Sequence, residues 1–285
     1  GLAKARVGIF GDFRQLAPIA TAETPSASQW LRRDVFEESG IIKRVDAGRR
    51  DPRMVMLRMQ YRMHPQISAI PNRLSYQNLL VDAPEVLEAN RGIAAAPPAE
   101  NCAVVQYDLA DIETLCMRDD QTHSRFNLLS AIASFSMALV MSQRGKIGIA
   151  TPYNAQSRLI HRLLQDAKVG AEAVQVSTVH RFQGSEREMI LFDAVDAHPL
   201  GIGMPLKGEG SSSARRLLNV AVSRAKGKFV LLADLGFLSG RLGGAVALRA
   251  FLGEVSSVAP AKAFTWPDLV PDRIGRRHER PHRRE

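Results

Sequence analysis

From residue 124 onward, apolar residues fall into regular blocks separated by turn residues. The first block, 124–143, predicts a helix capped by Ser124 and Gly145. Its uncharged part, 126–143, is long enough to raise the question of a membrane span. Asn127, Ser130, Ser134, Ser136 and Ser142 interrupt it, so a buried core helix is predicted instead. Then follow an expected strand at 146–151, a helix at 154–168, and strands at 174–177 and 189–194. A loop rich in Gly, Pro and Ser covers 198–213, and a strand is expected at 228–233. Between them, a helix over 215–225 places Leu217, Leu218, Ala221, Val222 and Ala225 on one face. Upstream the pattern predicts a short strand over 4–10 ending at Gly11, a loop carrying Pro18, a helix near 30–39 and a polar linker over 46–53. A strand over 54–59 entering a turn at 60–65, a partly helical 71–80 and a surface excursion over 82–100 complete the expectation. Strands alternating with helices predict an α/β fold, a mainly parallel sheet with helices on both faces.

Composition narrows the partners. The chain has 285 residues, 45% hydrophobic and 24% charged, enough to bury a sizeable core. A net charge of +9 favours a polyanionic partner, because Lys and Arg that neutralise phosphates release condensed counterions. Part of that excess lies in residues 273–284, where a solvated, disordered end accounts for it equally well. Two cysteines, Cys102 and Cys116, suggest neither a disulfide framework nor a metal cluster, and no signal-peptide pattern opens the chain. A reducing, cytoplasmic setting is expected, with no membrane partner and no metal-ligating residues. The first residue is Gly1 rather than Met, so a piece of a longer protein is expected.

In open α/β sheets ligands gather beyond the carboxyl ends of strands. Gly11, Asp12 and Gln15, then Pro152 and Tyr153, then Thr178, Gln183 and Gly184 follow expected strands. Singly, each has a plain structural explanation: Gly11–Asp12 is a common turn, Tyr61 a core aromatic, Arg224 a solvated helix residue. Five segments in order carry more weight: GDFRQLAP (11–18), LRMQYRMHPQIS (57–68), IGIATPYNAQ (147–156), STVHRFQGSERE (177–188) and RRLLNVAVSRAK (215–226). Together they resemble successive motifs of superfamily 1 DNA and RNA helicases, closest to the branch of the nonsense-mediated-decay helicase, over residues 7–234.

That resemblance implies a RecA-like P-loop NTPase fold, with ATP and Mg2+ bound between two RecA-like domains. Residues 1–50 would be the end of the first domain, 51–258 the second, and 259–285 a basic, disordered tail. By matching position, Gln15 and Asp12, with Gly11, resemble the coupling motif that senses the γ-phosphate and metal-bound water. Tyr61 would stack on adenine, and Arg62 and Arg224 would be arginine fingers. Gly184 and Glu186 would approach the phosphate and ribose beside Gln183. Pro152, Tyr153, Thr178 and His180 would contact single-stranded nucleic acid, although His180 fits a packed loop histidine equally well. His64 reads as structural, beside the rigid turn of Pro65.

Ala17 stands where the coupling motif usually has proline, and Ser223 where threonine is common. No GxxxxGK[ST] loop occurs, and no Asp-Glu pair precedes Gly11. Without that loop nothing cradles the β-phosphate or anchors magnesium, so this stretch alone is expected not to hydrolyse ATP. An upstream RecA-like domain is the expected partner. The expected function is the C-terminal part of an ATP-dependent helicase or translocase on DNA or RNA. The alternative is a nucleic-acid-binding module without catalysis.

Overall fold

The computed structural model describes residues 5–17, 24–31, 33–208 and 211–270. Two compact units emerge, Gly1–Leu57 and Arg58–Glu285, dividing later in the chain than the expected 50/51 boundary.

In the first unit the described residues form three short helices, Pro25–Leu31, Val35–Glu38 and Ile41–Asp46. The strand expected over 4–10 does not form among them. A strand needs a ladder partner, and no described segment of this unit supplies one, so Val7 and Phe10 are 70% and 94% exposed. The helix expected near 30–39 is broken at Asp34, whose side chain accepts from Phe36 N–H and caps a new turn. Pro18 lies outside the described residues.

The second unit is built on six parallel strands: β1 (Val104–Asp108), β2 (Ile147–Thr151), β3 (Val174–Thr178), β4 (Arg187–Asp193), β5 (Ala225–Ala233) and β6 (Ala261–Ala263). Their order across the sheet is β6-β1-β5-β4-β2-β3. Six helices of about ten residues or more accompany them among the described residues: α1 (Pro65–Ser75), α2 (Glu85–Ala94), α3 (Leu128–Ser142), α4 (Asn154–Asp166), α5 (Ser211–Ser223) and α6 (Val246–Val258). Alternate residues of the central strands bury on opposite faces, so a two-sided hydrophobic strand needs a helical layer on each side. Val105, Ile149, Leu191 and Val230 join Met137 and Met141 of α3 and Ile160 of α4 in one core. Helices α1, α5 and α6 pack together, and Phe251 of α6 sets its ring edge-on to Phe192 of β4 and Phe229 of β5.

Several boundaries move for physical reasons. Helix α3 starts at Leu128 rather than 124, because Asn127 accepts from Ser130 N–H and residues 125–127 pair antiparallel with 116–118. The surface excursion at 82–100 instead contains α2, which buries Val86, Asn90 and Ala94. The expected strand over 54–59 shrinks to Met59–Gln60, paired with Val81–Asp82. Residues 261–263, expected in a disordered tail, form β6 against β1; residues 271–285 lie outside the described residues. No described helix is long and apolar enough to cross a membrane.

Candidate nucleotide site

In the first unit, Asp12 closes a turn. Its carboxylate accepts from Arg14 N–H and from the Gln15 carboxamide, both at 2.9 Å, while Gln15 N–H reaches the Asp12 carbonyl at 3.0 Å. A Cβ at Gly11 would meet the Phe36 ring at 3.1 Å, so glycine lets the chain pass close to that ring.

In the second unit, segments far apart in sequence converge beside the amino ends of β4 and β5, where Arg187 and Ala225 are paired. The turn after Met59–Gln60 is shaped by the Gln60 carboxamide. Its oxygen accepts from Arg62 and Met63 N–H at 2.9 and 2.8 Å, and its nitrogen donates to the Met63 carbonyl and to Asp82. His64 N–H donates to the Lys226 carbonyl at 2.7 Å, fastening this turn to β5. The His64 ring accepts from Gln66 N–H and caps α1, whose Pro65 occupies a position where a missing N–H costs nothing. Burial pushes the His64 pKa down, which keeps the ring neutral and able to accept.

Glu186 is the hub. One carboxylate oxygen lies 2.6 Å from Lys226 Nζ and the other 2.7 Å from Arg62 Nε, and Arg62 also donates to the Ser223 carbonyl at 3.2 Å. The Lys226 hydrogen bond, reinforced by the charge of Arg62, holds the Glu186 carboxyl below its usual range. Arg62 and Glu186 are each 39% exposed at the side chain, so ligands can reach them. Arg224 differs. It is 3% exposed, and its guanidinium donates to the Ser185 carbonyl at 3.2 Å and contacts the Ser223 hydroxyl at 3.4 Å. Gln183 and Gly184 lead into this turn; Gly184 adopts φ +83°, with no atom within 4 Å of where a Cβ would stand. Tyr61 presents its ring to solvent at 68% exposure.

Two cations, Arg62 and Lys226, thus flank one carboxylate, and Arg224 bonds the neighbouring Ser185 carbonyl, a charge excess suited to a polyphosphate, with the exposed Tyr61 ring next to Arg62 in the same turn. Both Glu186 oxygens are held by cations, so this cluster offers no acidic ligand set for Mg2+ among the described residues. The strand-contact residues are less displayed than expected. Pro152, Tyr153 and Thr178 are buried, and His180 is half-buried with its pKa pushed down by burial. The Tyr153 hydroxyl donates to Asp196 at 2.8 Å beneath the surface. The structure brings Arg62, Glu186 and Arg224 into one neighbourhood, and with them Gln60 and Lys226, which the sequence did not single out although both sit inside the quoted segments. Their roles arise from contacts between distant segments.

A family profile described as an AAA domain matches residues 38–235, more than half of the chain. The chain belongs to the AAA domain family. Within it, this AAA domain is a superfamily 1 helicase-like chain with a RecA-like α/β fold. It is 28% identical to the 5'-3' DNA helicase ZGRF1 of Mus musculus over 81% of the chain and 11% of that protein. An ATP-dependent helicase of Methanocaldococcus jannaschii is 27% identical over 80% of the chain and 32% of its own length. A regulator of nonsense transcripts 1 homolog of Neurospora crassa is 27% identical over 80% and 20% respectively. The AAA domain therefore spans about a third or less of these curated relatives.

Proposed function

We propose that this chain is the C-terminal part of an ATP-dependent helicase or translocase on single-stranded nucleic acid. The observation that carries the reading is the Arg62–Glu186–Lys226 cluster beside the Gly184 turn and Arg224. Phosphoryl transfer is catalysed chiefly by positioning and by cations placed where charge spreads over the γ-oxygens. Arg62 is held ready by Glu186 and gives its donor fork to the γ-phosphate; Tyr61 stacks on adenine. Glu186 turns toward the ribose once a polyphosphate competes for its cations, and Gln183 and Gly184 flank the phosphates. Arg224, seated under the Ser185 carbonyl, reaches the nucleotide only when the Gly184–Glu186 turn shifts, which links hydrolysis to domain closure. Mg2+ bound with ATP would neutralise phosphate charge, and any protein ligands for it would come from outside this cluster. Gln15 and Asp12, with Gly11, form the coupling turn, and an upstream RecA-like domain is the partner that cradles the β-phosphate. Pro152, Thr178 and His180 shape the strand track, and Tyr153 supports it from below.

The test is strand-stimulated ATPase of the full-length protein. Arg62→Ala and Arg224→Ala each lower turnover by about 10³ or more while ATP binding persists. Undiminished turnover in both variants sinks the finger assignment. Strand binding with no ATPase in the wild type would favour a binding module.

A further inference from the structure

A second charged site lies away from the nucleotide cluster, on the loops that follow β4 and β5. Gly201, Ile202, Lys207, Arg241, Gly244 and Ala245 line a cavity of about 240 Å³. Its only charged residues are two cations, and neither forms an ion pair with a carboxylate among the described residues. Loops at the carboxyl ends of parallel strands are where this kind of sheet opens a ligand crevice.

Arg241 is held in place, and Lys207 is given room beside it. The Arg241 guanidinium lies 4.4 Å over the Phe237 ring and approaches His198 Nε2 at 3.3 Å, and His198 packs edge-on against the same ring. Lys207 ends the single helical turn Met204–Lys207, and a Cβ at Gly244 would stand 3.1 Å from its Cε, so glycine leaves room for the stem. The loop carrying Lys207 is anchored from below by Asp196. That carboxylate accepts from Gly203 N–H at 2.8 Å, from the Tyr153 hydroxyl at 2.8 Å and from Arg125 at 2.7 Å; Arg125 also donates to the Gly201 carbonyl. A Cβ at Gly203 would fall 2.0 Å from the Tyr153 hydroxyl, so loop and tyrosine are fitted to each other.

We propose that Lys207 and Arg241 bind a phosphodiester group of the nucleic-acid strand, and that Tyr153 and Asp196 are positioning residues for this site. The inference rests on the nucleic-acid reading above. A planar guanidinium suits a phosphate's oxygens, and a nearby ammonium adds charge without demanding a fixed direction. No base-reading group is needed, so the site tolerates any sequence. It also gives Tyr153, buried where direct strand contact was expected, a part in binding.

The experiment measures single-stranded oligonucleotide affinity of the full-length protein by fluorescence anisotropy over a range of salt, for wild type and the Lys207→Met/Arg241→Gln double variant. Both side chains are exposed, so the thermal midpoint is expected to hold. The double variant binds roughly tenfold more weakly at moderate salt, and its log–log salt slope falls by about 0.7, the share of one neutralised phosphate on a single strand. Its strand-saturated ATPase turnover stays near wild type, because only strand affinity changes. Tyr153→Phe, which keeps the ring, weakens strand binding in the same direction. Unchanged affinity and slope in the double variant overturn the site. So does a loss confined to inorganic phosphate or polyglutamate with strand affinity intact, since the pocket then serves free phosphate or an acidic protein segment. If the wild type binds no strand at all, the nucleic-acid reading itself fails, a different outcome from a wild type that binds and a variant that binds equally well.

Discussion

Lys228 puts an ammonium in the interior of β5 with no solvent contact, donating to the carbonyls of Ala96 and Ala99. Those two bonds fasten the segment after α2 onto the sheet. Burial pushes its pKa down to about 8 from the usual 10.5. Between those values the unfolded chain holds a proton the folded chain has released, so this residue makes stability rise with pH across that window. Cys116 opposes it. Burial lifts that thiol to about 11 from 9.0, so stability falls as pH rises between those two values. The clean measurement is the difference in urea midpoint between wild type and Lys228→Met from pH 7 to 10. The wild type is expected to gain on the variant as pH rises past 8, and a constant difference would show that Lys228 titrates normally.

At the scale of elements, one buried network fastens α3 and α4 to the end of β4. Asp193 accepts from Ser130, from Ser134 at 3.1 Å and from Gln156 at 2.6 Å, and Gln156 also binds the Asn127 backbone. Beyond it Val195 sits at φ +70°, a conformation that costs a β-branched residue about 1–3 kcal/mol. Asp193 holds its N–H and Asn127 its carbonyl, at 3.1 and 3.2 Å. Asn127→Ala removes a helix cap and leaves that carbonyl unpaired, so it should cost about 2 kcal/mol in urea unfolding, and Asn127→Ser, which keeps an acceptor, less. A loss below about 0.5 kcal/mol would mean that the strained turn holds without Asn127. Local pattern made β2, β3 and the inner face of α5 legible, because turn residues bound each of them. It concealed β1, where Gln106 interrupts the apolar run. Only the fold shows that the Gln106 carboxamide nitrogen donates to the Ala259 carbonyl and to Ser256. Helix α6 hid behind Gly240, Gly243 and Gly244. At the site, motif order pointed to Arg62, Glu186 and Arg224, but exposure did not follow from it: Arg224 and Tyr153 are sealed by partners that a linear pattern does not bring together.

At the scale of the whole unit, the sheet is closed by chain that lies far from the motifs. Strand β6 pairs with β1, and Phe264 N–H continues the ladder to the Asp108 carbonyl at 2.8 Å. The Phe264 ring is fully buried, edge-on to Tyr107 at 5.8 Å, within the core that holds α3 and α4. Thr265 and Asp268 cap the following turn, and Ser136 of α3 donates to the Leu269 carbonyl at 2.6 Å. Phe264 is therefore the main apolar tie between this return and the sheet. Phe264→Ala should cost about 3–5 kcal/mol, the range for emptying a buried aromatic site. The damage should also be local in hydrogen exchange: amides of β1 lose protection first, while those of β3, at the opposite edge, keep theirs until global unfolding. Equal loss of protection at both edges would mean that the sheet opens as one body, and a cost under about 1 kcal/mol would mean that hydrogen bonds alone fasten the return.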